Sequence, residues 1–494
     1  MKISLPFLLI LFSTRALFAV SLFMGMTQSL VKAEYQTLVE LASKSYRDGD
    51  REQAKGYLNQ LLKSNPKDRY ANHFLGALYA MDGNLEAALK YWNRIGEPRI
   101  EQIKMEPLPP VDAVLMDRAF AIAPASPLLR ADYLETQSRL QMMGIFKKYD
   151  FRLKPREQTQ TFDLIVRPQI RKGTLASKLK IATLVARGAL TGMIEPEFHN
   201  IHGTAINSTS FISWQQHRNR FSSSLSFPLG KDARSRLRIF ADHKSETWSL
   251  DSALHLRKWE TGVEAGKAWN DRLSWKSGLK ISDRTFDNSE ESSSLFEEGL
   301  LIDAFGQVDF SLLRIPEKRF TLHSTTSAGT GKFLNGGKRP SFVHVENSLQ
   351  LKWFPQPVGE DLVVTATVHM GQLLGSAPFD EFFSMGADRN MDLRLRAHRS
   401  RRDPYGENPF STGYMLLNGD VSKTIFENGK VRWRLIPFTD LAAINRTELW
   451  TGPQWFLDLG MQSGLEFFHS VELMVSYGKD LRTGRNVIYF GASL

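Results

Sequence analysis

The sequence contains no cysteine, and this absence limits the chemistry that the chain can perform. Disulfide bonds and thiolate metal sites are excluded, while an oxidising compartment is permitted. Motifs of several enzyme classes are also missing, because neither His-Glu-x-x-His nor Gly-x-Ser-x-Gly occurs and metal-ligating residues are not clustered. We therefore predict that the protein is not an enzyme and that it needs no cofactor and no metal ion.

One segment partly matches a phosphate-binding loop, SAGTGKF at 327–333. Thr326 stands where the first glycine of that loop is required, and Phe333 stands where a serine or threonine binds magnesium. The segment is better explained as the end of a strand followed by a loop.

The chain is long, basic and poor in uninterrupted apolar segments. Its 494 residues exceed the usual size of one compact soluble domain, so we expect at least two structural parts. The 63 Lys and Arg against 53 Asp and Glu give a net charge of +10, which suits an anionic partner. After the N-terminal region, no segment approaches the ~18 apolar residues that a membrane-spanning helix needs.

The N-terminal residues have the organisation of a secretory signal. Lys2 precedes a long apolar segment, and Val31, Lys32 and Ala33 have the small-x-small pattern of a cleavage site. We predict a signal peptide over residues 1–33. Because the apolar segment is long and is interrupted by Arg15, an uncleaved membrane anchor is the alternative.

Residues 35–100 repeat with a spacing of 34 residues, a period that indicates stacked helical units. The small residues Ala42 and Gly76, which are also 34 apart, would allow two helices to approach closely. The repeated turn and packing residues are Gly49 and Gly83, Ala54 and Ala88, and Tyr57 and Tyr91.

This pattern resembles the tetratricopeptide repeat, with LGALY at 75–79 and GNLEAALKYW at 83–92 matching its two helices. We predict helical repeats of this type over residues 34–145, with further helices at 111–140, since about three repeats are needed for a stable stack. The resemblance implies a periplasmic docking surface for a protein client. A plain helical hairpin that acts as a spacer is the alternative.

From about residue 149 onwards the hydrophobic pattern has a period of two, apart from 177–190, which we predict to be helical. Apolar and polar residues alternate over 273–281, 341–353 and 362–371. Alternation of this kind fits either a β-sandwich or a membrane barrel. Strands of about ten or more residues favour the barrel, as do the tryptophans at expected strand ends. These are Trp269, Trp353, Trp450 and Trp455.

We therefore predict an α+β multidomain protein in which helical repeats precede a transmembrane antiparallel β-barrel over residues 201–494. Residues 146–200 are expected to form a linker or a degenerate periplasmic module together with the first strands. A secretory signal combined with period-two strands that continue to the last residues indicates the outer membrane of a double-membraned bacterium, with the repeats in the periplasm.

The segment 378–406 resembles a loop of the bacterial surface antigen superfamily, the outer-membrane protein assembly and translocation barrels. In that family a Phe-x-x-Gly-Gly approach precedes a Leu/Val-Arg-Gly-aromatic motif, and the loop folds back into the barrel lumen. Here FFSMGAD at 382–388 matches the approach. The motif residues are Leu395, Arg396, Ala397 and His398, with Ala397 and His398 replacing the glycine and the aromatic residue. The replacement of glycine by Ala397 affects the turn of the loop, because a positive φ angle costs alanine more conformational energy than glycine.

The resemblance implies that Arg396 pairs with two acidic residues of the barrel wall, Asp440 in PFTD and Asp420 on the preceding strand. It also implies about sixteen strands, five of them after the loop. A guanidinium presents a fork of donors to a carboxylate, and such a contact is stronger in a partly dehydrated lumen than at the surface. We expect Arg399, Arg401 and Arg402 to belong to a solvated loop surface.

The function that the resemblance implies is the insertion or export of a protein client, recruited by the periplasmic helical repeats. The alternative is an export porin for a polysaccharide or another anionic polymer, guided by a basic lumen. The expected partners are outer-membrane lipid, a protein client and, for the alternative, an anionic polymer. Nucleic acid is not expected.

Overall fold

The structure is a computed structural model that describes the greater part of the chain. The signal peptide predicted over residues 1–33 lies outside the described residues, except for residue 33 itself. The described residues are 33–157, 159, 161–249, 253–287, 294–334, 341–386, 393–398, 409–447, 454–468 and 471–493.

Four helices come first, and they form two hairpins that match the two copies of the 34-residue pattern. Gly49 and Gly83 follow the first helix of each hairpin with positive φ angles of 87° and 75°. The side chains of Asp50 and Asn84 then accept hydrogen bonds from backbone N–H groups of the next helix, which capping residues of this type do well. The helices are α1 (33–47), α2 (Arg51–Ser64), α3 (Arg69–Met81) and α4 (Leu85–Trp92).

The repeated residues lie in the contacts between these helices. Ala54 and Ala88 are completely buried and Tyr91 is nearly so, whereas Tyr57 is half-buried. The rings of Tyr79 and Tyr91 stack with their centroids 5.6 Å apart. The helices belong to one compact unit, made of the described residues up to Ile100 together with Ala125–Arg130, and the other described residues form a second unit.

A mixed module of strands and helices follows the hairpins. Its sheet has the strand order β2-β1-β4-β3. The elements are β1 (Arg99–Met105), α5 (Ala113–Ala119), β2 (Ser126–Pro127), α6 (Arg130–Met143), β3 (Phe146–Pro155) and β4 (Thr161–Ile170).

This module differs from the sequence prediction, which assigned residues 34–145 to helical repeats. Strand β1 lies within that range, and α5 and α6 lie outside the first compact unit, apart from residue 130. The physical reason is that an amphipathic helix has the same 3.6-residue period whether it packs on another helix or on a sheet.

Helix α7 (Lys178–Thr191) follows, as predicted, and a large antiparallel sheet completes the described chain. Two further short strands, β16 (Phe383–Ser384) and β17 (Phe410–Ser411), pair only with each other. The strands before them are β5 (Met193–Ile194), β6 (Glu197–Ile201), β7 (Ile206–Gln215), β8 (Arg218–Pro228), β9 (Ser235–Ser249), β10 (Ala253–Ala268), β11 (Leu273–Asp287), β12 (Gly299–Ile315), β13 (Phe320–Phe333), β14 (Ser341–Trp353) and β15 (Leu362–Gly375). Those after them are β18 (Gly413–Glu427), β19 (Val431–Ile444), β20 (Trp455–Phe467), β21 (Val471–Asp480) and β22 (Asn486–Ser493).

Within the described residues the sheet contains 16 strands, which confirms the predicted number, and five of them follow the loop. They are joined in sequence order from β22 back to β7, and both β5 and β6 pair with β7. Strands β9 to β15 and β18 to β20 are each 13 to 17 residues long. Only about 9–11 tilted residues are needed to cross a bilayer.

The two faces of the sheet differ as the period-two pattern predicts. On one face Ile239, Val263 and Leu279 are register neighbours on three strands, and they are 47%, 42% and 56% exposed. On the opposite face the register partners Lys258 and Arg284 are buried. The sheet therefore presents apolar side chains outwards and polar ones to its covered side. Among the described residues, no helix is both long and apolar enough to span a membrane.

Candidate functional site: the loop between strands β15 and β18

The covered face of the sheet is occupied by the long loop that joins β15 to β18. Strands β16 and β17 close the base of the loop as a two-residue ladder. Beyond it, the Met385 N–H donates to the Pro409 carbonyl at 2.9 Å, and the Leu395 N–H donates to the Gly386 carbonyl at 3.3 Å. The loop thus has internal hydrogen bonds in its described parts, 376–386, 393–398 and 409–412.

Apolar loop residues seat the loop against the sheet. Met385 and Leu395 are completely buried, and Phe383 and Leu393 are nearly so. They belong to one hydrophobic cluster with wall residues that include Leu301 on β12, Leu416 on β18 and Phe456 on β20. Burial of this apolar surface favours the seated position of the loop.

Arg396 lies against both of the acidic residues that the family resemblance assigns to it. Its Nε and Nη2 donate to Asp440 with shortest distances of 2.9 and 2.6 Å, and its Nη1 donates to Asp420 at 2.6 Å. The backbone N–H of Arg396 also donates to Asp440, at 3.0 Å, and the guanidinium lies 3.8 Å from the centre of the Phe438 ring. The Arg396 and Asp440 side chains are 3% and 0% exposed, so this contact is shielded from water.

The next two motif residues contact a further aspartate. The Ala397 N–H donates to Asp458 at 2.6 Å, and His398 Nδ1 lies 3.3 Å from the same carboxylate. The His398 N–H donates to the Leu395 carbonyl at 3.0 Å and closes the turn. Ala397 does not have positive φ, so alanine fits where the family has glycine without backbone strain. The ring of His398 packs edge-on against Phe456, with the ring centroids 5.1 Å apart.

Together these contacts define an acidic row across four neighbouring strands. Asn418, Asp440, Asp458 and Asp480 are register partners on β18, β19, β20 and β21. The three aspartates are at most 1% exposed. Like charges in such proximity repel unless cations or N–H donors compensate them, and Arg396, His398 and two backbone N–H groups of the loop supply that compensation.

The sequence pattern did not predict a role for Asp458, Asp480 or the loop residues Asp380 and Glu381. Asp458 and Asp480 carry a weak signal, since each is an acidic residue on the polar face of an alternating strand. Only the register between strands places them beside Asp440, and one sequence does not give that register. The role of Gly478 was also not predicted. A Cβ atom at this position would lie 2.9 Å from the Arg396 carbonyl oxygen. A residue without a side chain allows the loop to approach β21 closely.

The start of the loop contacts a distant part of the same sheet. Asp380 and Glu381 form ion pairs with Lys258 on β10 and Arg284 on β11. Four strands, β12 to β15, lie between β11 and β18 in the sheet. The loop therefore bridges two parts of the sheet that are well separated in the strand order.

The arrangement holds the described parts of the loop against the sheet. In the part of the chain that the structure describes, no group of three or more His, Cys, Asp or Glu side chains is arranged to hold a metal ion. Of the five arginines in the loop segment, Arg394 is exposed and Arg396 is buried, while Arg399, Arg401 and Arg402 lie outside the described residues.

Comparison with known proteins gives fold similarity without sequence similarity. No protein-family model matches the chain, and no curated protein matches its sequence. Among solved structures, CdiB from Escherichia coli aligns with a TM-score of 0.51 at 13% identity, over 81% of this chain and 77% of that one. CdiB from Acinetobacter baumannii aligns at 0.47 and 12% identity, over 80% of this chain and 73% of that one. BamA from Haemophilus ducreyi lacking POTRA domains 1–3 aligns at 0.45 and 12% identity, over 80% of this chain and 84% of that one.

The alignment with CdiB from Escherichia coli shows that most of this chain shares the fold of that protein.

Proposed function

We propose that the protein is an outer-membrane β-barrel of the assembly and translocation type, which inserts a protein client into the outer membrane or exports it. The observation that carries the proposal is the set of contacts between the loop and the wall. A motif arginine on a loop inside the sheet is paired with two acidic residues of neighbouring strands, as in the bacterial surface antigen superfamily.

The surface of the sheet supports a membrane location. Register rows such as Ile239, Val263 and Leu279 expose contiguous apolar side chains on the face opposite the loop. Exposed apolar rows of this extent on a water-soluble protein would promote aggregation, whereas lipid covers them without cost. In this proposal the 16 strands close as a barrel over residues 201–494, with the loop filling part of its lumen.

The order of the parts supports recruitment of a client from the periplasm. The β1–β4 module precedes the sheet, with α7 between them, at the position that transport-associated modules take in the superfamily. The two helical hairpins precede the module and resemble tetratricopeptide repeats, which suit the docking of a protein segment. We propose that they bring the client to the barrel.

Planar-bilayer recordings separate this function from polysaccharide export. We expect the purified chain to be mostly closed, because the loop covers residues on both β10–β11 and β18–β21. A steady, anion-selective open pore would instead favour the export of an anionic polymer.

The client can be identified from cross-linked envelopes with the full-length tagged chain. A chain that lacks only the hairpins, residues 34–98, serves as the control. We expect an exported or outer-membrane protein to be enriched by the first chain and lost with the second. Enrichment of polysaccharide-synthesis proteins, or no difference between the two chains, would contradict recruitment by the hairpins.

A further inference from the structure

The start of the loop, Phe379–Glu381, contacts the wall, as the motif residues Leu395–His398 do. Phe379 is completely buried in an aromatic pocket. Its ring centroid lies 5.0 Å from that of Trp248, 5.4 Å from that of Phe286 and 5.5 Å from that of Phe296. This pocket places the two acidic residues that follow against the inner face of β10 and β11.

Asp380 and Glu381 then form an ionic cluster with the wall. Arg284 donates to Asp380 at 2.7 Å through Nη1 and to Glu381 at 2.9 Å through Nη2. Lys258 donates to Glu381 at 2.5 Å and to Asp380 at 3.2 Å. The exposed fractions of these side chains are 0% for Arg284, 1% for Asp380, 3% for Lys258 and 14% for Glu381.

The cluster depends on the loop for its charge balance. Within the described residues, both carboxylates in ion-pair contact with Arg284 come from the loop. A fully buried guanidinium that loses such partners is left as an uncompensated charge, which is strongly unfavourable. Burial opposes ionisation of Asp380, but Arg284 and Lys258 outweigh it and hold the pKa of that carboxyl below its usual value. The pKa of Glu381 is lowered further, again against burial, chiefly by Lys258 and Lys280.

We propose that Asp380 and Glu381 are positioning residues that form a second clamp, independent of the clamp that Arg396 forms with Asp420 and Asp440, so that the loop is a strap fastened at two separate points across the lumen. The two clamps lie on parts of the sheet that are separated by four strands. When one clamp is broken, the other clamp still holds the loop. The loop leaves the lumen only when both clamps open. The proposal rests on the proposed function only for the membrane setting and does not depend on the nature of the client.

The absence of cysteine from the chain allows a direct test of this strap. Met385 lies between the two clamps in the sequence and is completely buried. A cysteine introduced by Met385→Cys reacts with a membrane-impermeant maleimide only when the loop is released, so the reaction rate measures loop release. The labelling rate is measured in Arg396→Ala, in Asp380→Asn/Glu381→Gln, and in the variant that combines them. Heat-modifiable gel mobility verifies that each barrel is folded.

We expect each clamp variant alone to raise the labelling rate by less than about 3-fold and the combined variant to raise it by more than about 30-fold, since the ion pairs of both clamps are then lost. Glu360→Gln/Asp361→Asn removes the same two charges from the exposed turn between β14 and β15 and is the matched control. In the Arg396→Ala background, Arg284→Met should open the loop, whereas Arg284→Lys, which retains the charge, should keep labelling slow.

A combined variant that labels no faster than Arg396→Ala would overturn the second clamp. If Asp380→Asn/Glu381→Gln alone reached the rate of the combined variant, the two clamps would not act independently. The labelling measurement needs no client. If export failed but the labelling rates were as expected, the proposed function would be rejected and the proposal of two clamps would stand.

Discussion

At the scale of single residues, Arg396 illustrates why a buried loop needs an arginine. Its guanidinium contacts two carboxylates on two strands at once, which a single ammonium group of lysine cannot reproduce with the same geometry. The sequence resemblance predicted a pairing of this residue with both carboxylates. It missed Asp458, Asp480, Asp380 and Glu381, because their places beside the loop depend on strand register and on the path of the loop.

Replacement of Arg396 should destabilise the barrel much more than replacement of its neighbour. Arg396→Ala leaves Asp440 buried without its ion pair, and we expect a loss of roughly 3–5 kcal/mol in the free energy of unfolding. Arg394→Ala is the control, because Arg394 is exposed, and it should change that free energy by less than about 0.5 kcal/mol. Denaturant titration in detergent micelles measures both. Equal effects of the two substitutions would show that the Arg396 contact contributes no special stability.

The acidic pair of the second clamp should give a defined pH dependence. Because the pKa values of Asp380 and Glu381 are lowered in the folded state, their contribution is complete above the ordinary carboxyl range, about pH 4, and is lost as the pH falls through the lowered values. We expect the difference in thermal midpoint between wild type and Asp380→Asn/Glu381→Gln to stay constant from about pH 7.5 to about pH 5 and to vanish only below about pH 4. A difference that shrinks between about pH 6 and 5 would contradict this assignment. The cations that face the pair are Lys244, Lys258, Lys280 and Arg284.

At the scale of elements, periodicity predicted whether a segment is a helix or a strand, but not which element it packs against. The 34-residue spacing predicted two hairpins, and the alternation predicted long strands. The same helical period appears in α5 and α6. Apart from residue 130, these two helices belong to the second compact unit and not to the unit of the hairpins. Strand β1 is only 7 residues long, which makes its pattern too short to stand out from the helical segments around it.

Packing within the hairpins can be tested at two glycines. A Cβ atom at Gly76 would lie 2.3 Å from the ring of Trp92, whose Nε1 donates to the His73 carbonyl at 3.1 Å and so fixes the ring. We expect Gly76→Ala to destabilise the helical unit by roughly 1–3 kcal/mol. At Gly56, in the exposed middle of α2, a Cβ atom would meet nothing within 4 Å, and Gly56→Ala should stabilise the helix by about 0.5–1 kcal/mol.

Thermal melts of the full-length chain, followed by the helical circular dichroism signal, measure both glycine variants. Gly76→Ala should move the helical transition down and Gly56→Ala should move it slightly up. If Gly76→Ala were as well tolerated as Gly56→Ala, the close packing of Trp92 on α3 would be wrong.

At the scale of the whole molecule, alternation predicted the sheet, and the family resemblance predicted both its 16 strands and the five strands after the loop. What the sequence did not indicate is that the loop is held at two separated parts of the wall. That feature arises from residues about 100 to 120 positions apart, such as Arg284 with Asp380 and Lys258 with Glu381, and no local pattern encodes such a contact.

The membrane location can be tested with two exposed valines. Val263 lies on the apolar face of β10 and is 42% exposed, whereas Val358 lies in the turn between β14 and β15 and is 54% exposed. In lipid, Val263→Arg should cost roughly 2–4 kcal/mol of folding free energy, while Val358→Arg should change it by less than about 0.5 kcal/mol. Folding into vesicles, followed by heat-modifiable mobility, measures the difference. Equal tolerance of both arginines would exclude lipid from the face that carries Val263.

The most direct measurement is quantitative proteomics of the periplasm, outer membrane, cell surface and medium in three matched strains. One produces the wild-type chain, one produces Arg396→Ala and one produces no chain. We expect at least one protein to be lost from its destination and to accumulate in the periplasm without the chain, and to show the same defect to a lesser degree with Arg396→Ala. Identical protein inventories in all three strains, with loss of an anionic polymer instead, would contradict a protein-translocating barrel.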